Sequence, residues 1–191
     1  MLIVPRQYAG AKCSQVSRSS RRNDVEREFD PIDESRRQWL AHGWTDAADG
    51  MTLVISIMRA HQLLLARVDQ TLRPLGLTFS RYEVLALLSF TRRGSLPMNK
   101  ITKRLQVHAT STTNSVDRLE AAGLVARRPH PADGRTTLVE ITEAGRQLVT
   151  EATADLNRDV FEQPGLDAAD VSRLLGELAS LRAGLGDSAQ A

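Results

Sequence analysis

The apolar residues change period near Gly123, and that change limits the folds open to this chain. Upstream, Ile101 and Leu105, then Val116 and Leu119, recur at helical intervals. Downstream, Leu124–Arg128 and Thr136–Thr142 alternate in and out as strands do. Met98–Gln106 reads as a short helix, Val107 and His108 as a tight connection, and Ala109–Ala122 as a second helix stopped by Gly123. Two short helices joined by a turn of three or four residues form a helix-turn-helix unit. The two strands flank Pro129-His130-Pro131-Ala132-Asp133-Gly134-Arg135, a segment of strong turn chemistry with a cation at its tip. A hairpin placed directly after the second helix is a wing.

The other segments read as mainly helical around this small hairpin. Aromatic residues make up only 4% of the 191, so the core must be aliphatic. Residues 1–30 are polar and lack periodicity, as a disordered tail does. Within it, Arg18, Arg21 and Arg22 read as a solvated stretch or, less simply, as a basic arm. Residues 31–50, with Trp39, Leu40 and Trp44, form an N-terminal extension with a short helix that docks on something. Val54, Ile57, Met58, His61, Leu64, Leu65, Val68 and Leu72 set out a long amphipathic helix over 51–73, ended by Pro74 and Gly76. Ser80 and Glu83 match a capping box for the next helix, and Arg92–Pro97 reads as a loop. Thr142 and Asp167 are placed to cap two further helices. The last carries Val171, Leu174, Leu175, Leu178, Leu181 and Leu185 in one stripe, which fits the core of the same chain or a seam with a second copy. The narrowness of the stripe favours the seam. The expected organisation is therefore a winged helix-turn-helix domain over 77–142, dimerisation helices over 51–76 and 143–185, and a short tail over 186–191.

Net charge is only +2, but it is unevenly spread. Residues 98–135 carry seven Lys and Arg against three acids, whereas 143–191 carry four Arg against nine acids. A basic middle beside an acidic end fits one polyanion-binding face, although a solvated charge mixture has the same composition. The second helix of the pair decides more. Thr110, Ser111, Thr112, Thr113, Asn114 and Ser115 put more hydroxyl and amide groups at its start than a cap needs. Such short side chains reach base edges and phosphates without blocking entry to a major groove, and Arg118 suits a backbone contact. Arg135 at the hairpin tip suits a minor groove, with Arg127 and Arg128 flanking phosphates and Asp133 pairing with a nearby arginine.

Other classes of function find little support. There is no Gly-x-Ser-x-Gly motif, phosphate-cradling loop or dinucleotide fingerprint, and His42, His61, His108 and His130 lack metal-ligand spacing. The expectation is no enzyme, no cofactor and no metal. A winged helix that binds only protein is the competing reading, against which the basic wing and hydroxyl-rich helix argue. The lone Cys13 excludes a disulfide within the chain, and no apolar run approaches the roughly 18–20 residues of a membrane span. Both point to the cytoplasm.

Three stretches carry a family resemblance: Asp117-Arg118-Leu119-Glu120-Ala121-Ala122-Gly123-Leu124-Val125-Ala126-Arg127-Arg128, then Pro131-Ala132-Asp133-Gly134-Arg135, then Ile141-Thr142-Glu143-Ala144-Gly145. Together they resemble the MarR family of bacterial transcription regulators, over roughly residues 50–185. The resemblance implies a ligand-responsive repressor that binds double-stranded DNA as a homodimer on a pseudo-palindromic operator. It maps the family's wing Asp and Arg onto Asp133 and Arg135, and its recognition-helix contacts onto Thr110 to Ser115 and Arg118. It also implies a cleft for a small aromatic or anionic effector near His61, Leu64, Arg67, Arg81 and Tyr82. Trp39 and Trp44 invite comparison with a urate-responsive branch, but Glu83 and Phe90 stand where that branch expects an Asp and an Arg. Cys13 lies far from the first core helix, where a peroxide-sensing branch carries its Cys.

Overall fold

The computed structural model describes residues 29–106, 108–131 and 133–187, with the side chains of 133–135 outside that description. The tail expectations for residues 1–28 and 188–191, among them Cys13, Arg18, Arg21 and Arg22, lie outside the described residues, as does Val107. Internal contacts divide the chain into two units, Met1–Met58 and Arg59–Ala191.

In the first unit, Asp30 caps helix α1 (Pro31–Ala41) by accepting from the Ile32 amide at 2.8 Å, and Pro31 occupies a first-turn position that needs no donor. Helix α2 (Thr45–Leu72) starts six residues earlier than expected and passes through Gly50. An interior glycine weakens a helix by about 1 kcal/mol relative to alanine. Here Arg36 of α1 holds Asp49 at 2.8 Å and anchors the added turns. The Trp39 and Trp44 rings meet edge to face at 5.1 Å, and His42 stacks on Trp44 at 5.2 Å. The two tryptophans therefore clasp the α1–α2 turn.

The expectation of no membrane-length segment needs correction. Thr45–Leu75 holds an 18-residue window of mean hydropathy 1.3, enough by length and composition to cross a membrane. Ser56, Arg59, His61 and Gln62 interrupt the apolar run, so only the average over the window reaches membrane hydropathy.

The second unit is built around an aliphatic core. Leu72, Leu85, Leu88, Ile101, Val116, Leu119, Val139 and Leu156 are fully buried. After a 3₁₀ turn (Arg73–Leu75) comes α3 (Phe79–Ser89), then β1 (Ser95–Pro97), α4 (Met98–Leu105) and α5 (Ala109–Ala121). The wing strands β2 (Val125–His130) and β3 (Asp133–Ile141) follow, then α6 (Glu143–Leu156), a π-helical turn (Asn157–Phe161) and α7 (Ala168–Gly184). The three strands form an antiparallel sheet in the order β1-β3-β2, with Leu96 and Arg127 on either side of Val139. Strand β1 lies where a loop was expected. Three residues are too few to show a period, and the pairing that makes them a strand comes from β3, far along the chain. The wing strands also run closer to the tip than expected, past a register shift between Pro129 and His130.

The cap of α3 differs too. Thr78, not Ser80, is its N-cap residue, and Asp69 of α2 accepts from the Phe79 amide at 3.2 Å. With that donor taken from outside, the Ser80–Glu83 box is not needed. Glu83 is instead half-buried, and its burial pushes the carboxyl above its ordinary pKa. The other two caps stand where expected. The Thr142 hydroxyl accepts from the Gly145 amide at 3.1 Å, and the Asp167 carboxylate accepts from the Asp170 amide at 2.8 Å. Helix α6 adds Val149, Ala152 and Leu156 to the same core. Helix α7 buries none of its residues, and Leu174 and Leu175 are 44% and 63% exposed.

Candidate nucleic-acid interface

Helix α5 is fixed at both ends and along one face. Its inner row is Thr112, Val116 and Leu119, spaced at i, i+4 and i+7 and all but closed to solvent. At its C-terminus the Gly123 amide bonds to the Glu120 carbonyl and the Leu124 amide to the Leu119 carbonyl, both at 2.9 Å. This is a Schellman closure, and it requires the left-handed backbone that Gly123 adopts at φ 72°. Thr142 then ties the end of the wing back to this point, donating toward the Gly123 and Leu124 carbonyls at 2.8 and 3.0 Å.

The outward face carries Thr110, Ser111, Thr113, Asn114, Asp117 and Arg118, all exposed, with Ser115 half-buried beside them. Thr113 bonds back to the Ala109 carbonyl at 3.0 Å. Thr112 does not belong to this face. It is 1% exposed, and its hydroxyl lies 3.5 Å from the His108 carbonyl. Its place one helical turn before Val116 sends it inward, so the groove-facing expectation for Thr112 is corrected.

Arg127 is corrected as well. It does not stand free to flank phosphates. Its guanidinium bonds to Asp117 at 2.5 Å and to Glu120, and its amide donates to Glu120 at 2.9 Å. Strand β2 returns alongside α5, which carries Arg127 onto acids one turn apart on that helix. The residue thus joins wing to helix. Arg128, on the other side of the strand, has a side chain 67% exposed and only a loose approach to Glu140 at 3.9 Å. Asp133 and Arg135 sit at the β3 end of the wing tip, and their side chains lie outside the described set.

The Arg127 amide, and then its guanidinium, hold the Glu120 carboxyl below its ordinary pKa of 4.5. A lowered carboxylate pKa stabilises the fold above the unfolded value, and the gain is lost as pH falls through the folded value. Thermal melts between pH 3 and 6 should therefore show Glu120→Gln melting below the unchanged chain near pH 6. The two should converge in acid. A constant offset across the range would disprove the coupling.

The expected effector residues are not gathered into one cleft. The Arg67 guanidinium is committed to the carbonyls of Gln163 at 2.8 Å and Asp159 at 2.5 Å. Tyr82 is buried, with its hydroxyl 3.2 Å from Thr153. His61 and Leu64 face solvent, because only Val68 and Leu72 of the expected α2 stripe enter the core. Arg81 lies elsewhere, at the start of α3. There Thr78, Ser80 and Arg81 share a cleft of about 410 Å³ with Asn114, Ser115 and Arg118. Helix periodicity could have placed the last three together, but nothing local in the sequence joins them to the first three.

An outward polar helix held against an antiparallel hairpin defines a winged helix-turn-helix protein. A sequence profile of the MarR family matches residues 75–136. The chain is 49% identical to a MarR family transcriptional regulator from Streptomyces coelicolor, over 73% of this chain and 96% of that one, with a TM-score of 0.66. It is 31% identical over 120 residues to the HTH-type transcriptional repressor IacR of Pseudomonas putida, covering 62% of this chain and 70% of that protein. Identity to the HTH-type transcriptional regulator YdgJ of Bacillus subtilis is 30% over 100 residues, 52% of this chain and 60% of that protein. The chain belongs to the MarR family of transcriptional regulators.

Proposed function

We propose that the chain is a non-catalytic, sequence-specific DNA-binding regulator, most simply a repressor, that acts as a homodimer in the cytoplasm. Each copy lays the outer face of α5 in a major groove and sets its wing beside the neighbouring minor groove. The observation that carries this reading is the outer face itself. Thr110, Ser111, Asn114 and Arg118 are exposed on a helix that is otherwise locked in place. Short donors and acceptors on a rigid helix are what base edges require. The same two-fold arrangement predicts half-sites about one helical turn apart.

A second copy would cover apolar side chains that a single chain leaves in solvent. On α2 these include Leu53, Val54 and Met58, and on α7 Leu174, Leu175 and Leu185. The membrane-length apolar character of α2 has the same use, since a helix face that is apolar but unburied suits a partner helix. An effector fits the cleft of about 540 Å³ between α3 and α6 better than the residues first expected. It offers the exposed Phe90 ring and the Arg146 guanidinium to a small aromatic acid.

The test begins with recovery of bound fragments from the source genome, followed by gel shifts over a range of salt. Affinity should fall steeply as salt rises; no shifted band at any salt would refute the reading. On a recovered operator, Asn114→Ala should cost about 1–3 kcal/mol and relax discrimination at one base pair, and Arg135→Ala should cost a similar amount. Thr112→Val, which changes only a buried side chain, should leave operator affinity unchanged. If Asn114→Ala behaves like Thr112→Val, the outer face of α5 does not read bases.

A further inference from the structure

A cleft of about 410 Å³ opens between the start of α3 and the outer face of α5. It draws the N-cap Thr78 with Ser80 and Arg81 from the start of α3 and Asn114, Ser115 and Arg118 from α5, and no acid lines it. Two guanidiniums reach it from separate elements. That of Arg81 is aimed by a bond from its Nε to the Thr78 hydroxyl at 3.1 Å, and Thr78 in turn lies 3.2 Å from the Ser80 hydroxyl. That of Arg118 has no side-chain or carbonyl partner among the described residues. Elsewhere in the unit Arg127, Arg158 and Arg173 are spent on carboxylates. Here two are left facing an open, polar recess.

We propose that this cleft is a phosphate clamp that grips one backbone phosphate of the bound DNA beside the major groove, with Arg81 and Arg118 as its two jaws. The proposal rests on the DNA-binding reading and assigns Arg81 to the operator instead of the effector. Guanidiniums are matched to phosphate oxygens by charge and by their planar fork of donors, and hydroxyls supply further donors. The position favours DNA over a free anion. Asn114, Ser115 and Arg118 belong at once to the cleft and to the helix face that meets the duplex, so a groove-bound α5 brings a sugar-phosphate strand alongside it. A contact of this kind carries no sequence information. It sets the depth and angle at which α5 enters the groove.

The full chain should be assayed by fluorescence anisotropy on a recovered operator and on the same operator with one mismatch. Arg81→Gln should weaken both about tenfold and flatten the slope of log affinity against log salt by about 1. Arg81→Lys, which keeps the charge, should recover part of the loss, with circular dichroism confirming that both variants fold. Replacing single operator phosphates with neutral methylphosphonates should weaken the unchanged chain at one position per half-site. At that position Arg81→Gln should show no further loss. Unchanged affinity and salt slope in Arg81→Gln would overturn the clamp while leaving DNA binding intact. A chain that binds no DNA at all would overturn the parent reading, and the clamp with it. Titration with inorganic phosphate, followed through the Arg118 Nε resonance, which the unchanged chain and Arg81→Gln share, separates the other source of the same chemistry. Phosphate binding that disappears in Arg81→Gln without any change in operator affinity would assign the cleft to a free anion and refute its role on DNA.

Discussion

Replacing Leu174 and Leu175 together with glutamate is expected to leave each chain folded but unpaired, and to lower affinity for a two-half-site operator by about 10²–10⁴-fold. Both residues are exposed in a single copy and neither belongs to the core, so their charge should not disturb it. Burying each against a partner would contribute about 1.5–3 kcal/mol, and a carboxylate in the same place would have to be desolvated. The drop in affinity follows from losing simultaneous engagement of two half-sites, because the second contact of a linked pair is made at high effective concentration. Sedimentation would report the stoichiometry and anisotropy the affinity. Truncation at Pro164, which removes all of α7, should act in the same direction. A variant that remains a dimer would show that α7 does not form the seam.

The second large effect concerns Gly145. An alanine there should destabilise the fold by about 1–3 kcal/mol, although glycine to alanine inside a helix ordinarily helps by up to about 1 kcal/mol. The reason is steric. A Cβ at this position would lie 2.2 Å from the Leu124 carbonyl oxygen and 2.9 Å from Ile141. The carbonyl is backbone, and Thr142 also bonds to it, so it cannot swing away. At about 2–4 °C per kcal/mol for a chain of this size, the midpoint of unfolding should fall by several degrees. Gly50→Ala, in a helix with open space around the position, should not fall and serves as the control. A stabilised Gly145→Ala would mean that the junction of wing and α6 is looser than its geometry indicates.

The same junction illustrates what the sequence could reveal. Thr142 as a cap, Gly123 as a stop and the change of period between α5 and β2 are encoded within a few residues, so local chemistry was sufficient. The Ile-Thr-x-x-Gly pattern at 141–145 was visible too, but its cause was not, because the glycine answers to Leu124 across the fold. Arg127 is the plainest case of this limit. Its neighbours in sequence are a strand and a basic pair, and only the antiparallel return of β2 brings it to Asp117 and Glu120. Thr112 is different, since helical spacing from Val116 and Leu119 already placed it inside; the run of hydroxyls around it obscured that. Strand β1 and the meeting of Arg81 with Arg118 depend on contacts between distant segments, and no local window of sequence contains both partners; the Asp69 cap on α3 spans only ten residues but needs the fold of the 73–78 turn to bring the carboxylate to the Phe79 amide.

The bridge from Arg127 to Asp117 and Glu120 has a mechanical consequence. Because the hairpin and the groove helix are stapled by charge-assisted bonds as well as by a shared core, the reading head cannot easily bend within itself. In a two-copy regulator, an incoming signal must then act by carrying intact heads apart or together, so that the spacing between them, and not the shape of either, decides whether the operator is held.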